Sequence, residues 1–95
     1  MKLLMLIVDG DKKEQLEVLL GRAGVTGYTE IPGAVGKGAT GLKLGSRAFP
    51  KTSAVIFTIV DDPGLAELTR QVKAFCADCG ERLKIVVWGV EEVLG

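Results

Sequence analysis

The sequence predicts an α+β domain of the ferredoxin-like βαββαβ kind, an antiparallel sheet with both helices on one face. Three observations carry this. Two strand–helix–strand patterns follow one another. The first and third strand patterns, Leu3–Val8 and Ala54–Val60, are the most continuously apolar stretches in the chain, as the two central strands of such a sheet should be. A long Gly-rich stretch, Pro32–Pro50, separates the two halves.

Leu3–Val8 is an unbroken apolar run of strand length, closed by Asp9-Gly10. Asp11 followed by Glu14 reads as an acidic capping box. Leu16, Leu19, Leu20 and Ala23 then recur at helical spacing, and Gly24 stands where a helix ends. Val25–Ile31 reads as the second strand, Ser53–Val60 as the third. Asp62 is the expected N-cap of the second helix, with Pro63 at its first position. Leu65, Leu68, Val72, Phe75, Cys76 and Cys79 continue that helix, and Gly80 ends it. Leu83–Val90 is the last strand.

A sheet covered by helices on one face should alternate apolar and polar residues. These strands do not. Leu3, Met5 and Ile7 are as apolar as Leu4, Leu6 and Val8, and the third and fourth strands behave alike. Soluble monomers avoid apolar patches of that size, so the second face predicts a homo-oligomer in which sheets meet.

The chain has 95 residues, fitting a single domain over 1–95, and 47% of them are hydrophobic. Twelve basic residues balance twelve acidic ones, which argues against nucleic acid as a partner. The balance is local, however: from residue 31 to 60 every charge is positive. Met1-Lys2 leads straight into an apolar run too short for a signal core or a membrane span. A cytoplasmic protein with reduced cysteines and no membrane insertion is expected.

The stretch Gly33–Pro50 holds Gly33, Gly36, Gly38, Gly41 and Gly45 with Lys37, Lys43 and Arg47, and is expected to be a mobile loop. Gly36, Lys37 and Gly38, together with Lys84, are candidate ligand-binding residues, since glycine amides and lysines can hold an anion. Lys37, Lys43, Arg47 and Phe49 are candidates for contact with a partner protein. Gly36-x-Gly38-x-x-Gly41 matches a dinucleotide fingerprint by spacing, but no helix opens behind it, so phosphate would meet no helix N-terminus. Cys76-x-x-Cys79 lacks the further ligands of a tetrahedral zinc site. It lies at the C-terminal end of a helix, where the dipole disfavours a thiolate; soft-metal capture by this pair is the alternative function. The chain has no His, and Asp9, Asp61 and Asp62 form no catalytic constellation, so an enzyme is not expected.

Ala23-Gly24-Val25-Thr26-Gly27-Tyr28-Thr29 is similar to the "A-G-[IV]-T-G-[MY]-T" signature of the PII signalling superfamily, the trimeric regulators related to nitrogen regulatory protein P-II. Phe49-Pro50-Lys51 looks like that family's "LPK" entry to the third strand, and the order of elements agrees over nearly the whole chain. The resemblance implies a homotrimer with inward-facing sheets. It also implies that Gly33–Phe49 corresponds to the T-loop, through which such proteins engage transporters and enzymes, and that an effector sits between subunits. The chain departs from the typical pattern in three ways. No tyrosine lies in Gly33–Phe49. Of the nucleotide-binding "T-G-x-x-G-D-G-K", only Lys84 stands in place, the corresponding stretch being Cys79–Lys84. The "R-x-R-T-G-E" extension does not follow Val90. Adenine nucleotide is thus the implied cofactor class with its usual motif missing. The shortened loop is similar to a PII-like subgroup, some of whose members are linked to efflux transporters. A small-ligand sensor of the ACT type shares the order of elements but lacks a long loop.

Overall fold

The computed structural model describes residues 1–38, 41–75 and 83–95. Strand β1 (Lys2–Asp9) leads through a 3-10 turn (Gly10–Lys12) into helix α1 (Lys13–Arg22) and strand β2 (Thr29–Ala34). Two short strands follow, β3 (Gly36–Gly38) and β4 (Gly41–Lys43), then β5 (Ser53–Val60), helix α2 (Asp62–Phe75) and β6 (Leu83–Gly89). The main sheet has the order β2-β5-β1-β6 and every pairing is antiparallel. The two continuously apolar strands, β1 and β5, are central, in register from Lys2↔Val60 to Asp9↔Ser53. This is the predicted ferredoxin-like arrangement.

Both helices lie on one face. Leu4, Leu6 and Val8 of β1 and Ala54 and Ile56 of β5 meet Leu16, Leu19, Leu20 and Ala23 of α1 and Leu68 of α2. Leu65 and Val72 are partly buried against the same core. At 19 Å in its thinnest direction, the molecule has room for one sheet and one helical layer. The other face carries Leu3, Met5, Ile7, Val55, Phe57, Val86 and Trp88, aligned across strands by the pairs Leu3↔Trp88, Met5↔Phe57, Met5↔Val86 and Ile7↔Val55. None is fully buried within the chain, and Trp88 is 44% exposed.

The end of α1 follows its sequence. Gly24 takes φ +82°, the Val25 amide reaches the Leu20 carbonyl at 3.0 Å and the Gly24 amide that of Gly21 at 3.1 Å, a Schellman close. Its start does not. No side chain caps it, and the Gly10–Lys12 turn replaces the capping box expected of Asp11 and Glu14. The Gly10 amide is held by the Thr52 carbonyl at 2.9 Å, so the chain enters the helix through a 3-10 turn that takes up the first amides.

Strand β2 begins later than Val25 and runs on through Pro32. Val25 is used in closing α1, and the Gly27 carbonyl accepts the Thr58 hydroxyl at 2.7 Å in place of a ladder bond. Proline is tolerated because β2 is an edge strand, and the register shifts between Ile31 and Ala34, where Gly33 has φ +70°.

Asp61, not Asp62, caps α2. Its Oδ1 accepts the Gly64 amide at 2.7 Å and its carbonyl the Leu65 amide at 2.9 Å. A cap side chain serves the amide three residues on, and here that residue is glycine: a Cβ at position 64 would lie 2.9 Å from the carboxylate. Asp61→Ala is therefore expected to lower stability by about 1 kcal/mol, and Asp62→Ala by much less, in urea unfolding. The continuation of α2 through Cys76 and Cys79 to Gly80 lies outside the described residues.

Candidate functional site

The Gly-rich segment is built rather than irregular. β3 and β4 form a hairpin with the pairs Gly36↔Lys43, Lys37↔Leu42 and Gly38↔Gly41. No helix opens behind Gly41, so the glycine spacing makes a hairpin and not a dinucleotide site. Beyond it, Phe49 closes a tight turn. Its carbonyl accepts the Leu44 and Ser46 amides at 3.3 and 3.0 Å, and its own amide donates to Ser46 Oγ at 3.2 Å. The Gly45 amide reaches the Lys51 carbonyl at 3.2 Å; this position has φ +62°, which favours glycine.

The three loop cations are not equivalent. Lys37 and Arg47 are exposed, but Lys43 is turned inward, its Nζ 3.2 Å from Asp9 Oδ1. The two side chains are only 7% and 12% exposed. Lys43 thus leaves the outward-facing set, which is Lys37, Arg47 and Lys51 with the exposed apolar side chains of Val35, Leu42, Leu44 and Phe49. Asp9, set aside in the sequence as one of several scattered acids, holds that lysine.

Lys84 is exposed and pairs with Ile7, in the row that continues through Val55 to Ile31. That row lies at the end of the sheet from which the Gly-rich segment springs. At the opposite end is an open cleft of about 780 Å³, lined mainly by Leu3, Thr26–Thr29 and Phe57–Asp61. Within one chain, Lys84 and the cleft are separated by roughly the four-residue span from Ile7 to Leu3, about 13 Å of strand. The chain does not bring them together.

Beside the cleft, the Tyr28 hydroxyl donates to Glu17 Oε2 at 3.3 Å, and Lys13 Nζ lies 3.5 Å from Glu17 Oε1 and 3.4 Å from Glu30 Oε2. Partial burial, then the Glu17 carboxylate, raises the Tyr28 phenol above its ordinary value. The hydrogen bond to Glu30 leads in raising Lys13. Both groups therefore stay protonated and act as donors, not as bases. Among the described residues no cluster of His, Cys, Asp and Glu could hold a metal, and no helix is long and apolar enough to cross a membrane. Cys76 and Cys79 lie outside the described residues.

Residues 1–94 match the family described as Nitrogen regulatory protein P-II. The chain belongs to the P-II family. Solved P-II-like structures superpose on it closely. CPII, a nitrogen regulatory PII-like protein from Thiomonas intermedia K12, bound to ADP, AMP and bicarbonate, is 27% identical with a TM-score of 0.72, covering 94% of this chain and 86% of that one. The same protein bound to ADP and bicarbonate gives 28% identity, TM-score 0.72 and the same coverages. A putative PII-like signaling protein from Thermus thermophilus, at 17% identity, TM-score 0.68 and 94% and 84% coverage, shares the fold. No curated protein matches. The family match sets aside the ACT-type alternative, and the P-II chain is of a regulatory, PII-like family.

Proposed function

We propose that this P-II chain is a cytoplasmic homotrimeric regulator that binds an adenine nucleotide between subunits and a partner protein through Gly33–Pro50. It is a binding module and not an enzyme. The observation that carries the reading is the apolar second face of the sheet: a chain that keeps Leu3, Met5, Phe57 and Trp88 out of its own core needs copies of itself to cover them. Such an assembly also supplies what one chain lacks. The end of the sheet with Lys84, Gly36, Lys37 and Gly38 on one subunit can face the Thr26–Thr29 and Phe57–Asp61 cleft of the next, so that an anion and an apolar ring are held together. CPII, with its bound ADP, AMP and bicarbonate, supports this ligand class. The exposed Lys37, Arg47 and Phe49 form the partner-binding surface, for which a membrane transporter or an enzyme is the target class.

The test is a native mass spectrum of the purified protein, then with ADP, AMP, ATP and bicarbonate. A trimer taking up to three nucleotides is expected, and a monomer overturns the reading. Lys84→Ala should weaken nucleotide binding roughly tenfold or more in calorimetry, the usual loss when one charge-assisted contact to phosphate is removed. An unchanged affinity removes Lys84 from the site.

A further inference from the structure

We infer that Asp9 is the positioning residue of the Gly-rich segment: its buried ion pair with Lys43 latches the β3–β4 hairpin to the end of β1. The inference rests on the reading of that segment as the partner-binding loop, and names how its position is set.

Lysine is almost never buried without a partner, yet Lys43 is 5% exposed between the exposed Leu42 and Leu44. The segment cannot supply the counter-charge, because no acidic residue occurs between positions 31 and 60. The carboxylate comes instead from Asp9, the last residue of a central strand paired on both sides. The neighbouring residue completes the corner. The Gly10 amide holds the Thr52 carbonyl at 2.9 Å, and a Cβ at position 10 would lie 3.1 Å from that oxygen. Asp9 therefore takes hold of the outgoing arm of the segment at Lys43, and Gly10 of the returning arm at Thr52. Hydrogen bonds at Leu44, Gly45 and Ser46 make the turn between these points rigid. The hairpin is joined to the sheet by chain at Ala34–Gly36, by chain through Leu44 into that turn, and by the ion pair. With the pair intact, Lys37 and Leu42 are offered in one orientation. With it broken, the hairpin is free to bend about its two arms at Val35 and Leu44 while the sheet stays whole. The Asp9–Lys43 contact thus sets the orientation in which the segment is presented.

Trypsin reads this directly, since Lys37, Lys43 and Arg47 are three cleavage points in one segment. In the full-length protein, cleavage after Lys37 should be fast and cleavage after Lys43 slow. Asp9→Asn should speed cleavage after Lys43 by about tenfold or more, because cleavage follows the population of the open form. Amide exchange in β1 and β5 should stay unchanged. Asp9→Glu should restore protection, which a merely structural role for position 9 does not require. Unchanged cleavage after Lys43 in a folded Asp9→Asn protein overturns the latch. Should Asp9→Asn not fold, the exchanged pair Asp9→Lys with Lys43→Asp decides: slow amide exchange in β3 and β4 supports the latch, fast exchange overturns it. No partner or nucleotide enters either readout. A failed latch leaves the P-II regulator reading intact, and a monomer in the mass spectrum overturns that reading without touching the latch.

Discussion

Phe57→Asp is expected to leave a folded 10.1 kDa monomer in light scattering, where the trimer proposed for the parent protein is expected at three times that mass. Phe57 lies between Thr29 and Met5 in a row that ends at Val86, near the middle of the face turned away from the helices. Covering each large apolar side chain of that face contributes about 1.5–3 kcal/mol. A carboxylate placed among them loses its share and must also be desolvated without a counter-ion, at several kcal/mol more. Repeated at every subunit contact, this exceeds what a three-fold assembly of small chains can spare. The helix-side core of Leu4, Leu6, Leu20 and Ile56 is untouched, so the monomer keeps its secondary structure. Val18→Asp is the control. Val18 is 56% exposed, but on the outer surface of α1, and its replacement should not change the mass. Trp88, the single tryptophan, stands opposite Leu3 on the face concerned. Its emission should shift to the red in Phe57→Asp and stay in place in Val18→Asp. A Phe57→Asp protein that remains trimeric means that another surface holds the copies together.

The strand order and the uncovered second face were legible for one reason: both rest on periodicity. Runs such as Leu3–Val8 without a polar alternate identify central strands and at the same time demand cover on two sides. The end of α1 was legible because Gly24 is the residue that a left-handed close needs. What could not be read depends on which atoms meet after folding. Asp61 and Asp62 are chemically alike; the structure chooses Asp61 because its third following residue is Gly64, whose amide a carboxylate can approach closely. β2 overruns Pro32 because it is an edge strand, a fact about its neighbours and not its own composition. Lys37, Lys43 and Arg47 look alike in the sequence. The hairpin register sets Lys43 opposite Gly36, and folding brings it to a carboxylate far earlier in the chain. Nothing local marks it as the inward one. The absence of any acid from 31 to 60 was the available signal, since a lysine buried there must find its carboxylate elsewhere. The cleft lined by Thr26–Thr29 and Phe57–Asp61 is legible only once β2 is known to pair with β5.

Leu20→Ala should be the most destabilising of the single substitutions on the helix side, by about 2–5 kcal/mol. Leu20 has no exposed surface, belongs to the cluster with Leu4, Leu6 and Ile56, and supplies the carbonyl that closes α1 through Val25. Alanine keeps the carbonyl and the helix propensity, so the loss isolates packing: the transfer energy of the removed carbons and the cavity they leave. Against a total stability of about 5–15 kcal/mol for such a domain, the melting temperature should fall on the order of 10 °C or more. Folding is linked to assembly in this reading, so the melting temperature of the parent should itself rise with protein concentration, and the comparison must be made at one concentration. The two substitutions then separate the faces of one sheet. Leu20→Ala lowers the melting temperature but returns a trimer below it, whereas Phe57→Asp gives a monomer whose melting no longer depends on concentration. If Leu20→Ala instead dissociated the assembly with little loss of stability, the helix-side cluster would not be the core of the single chain, and the division of labour between the two faces would be wrong.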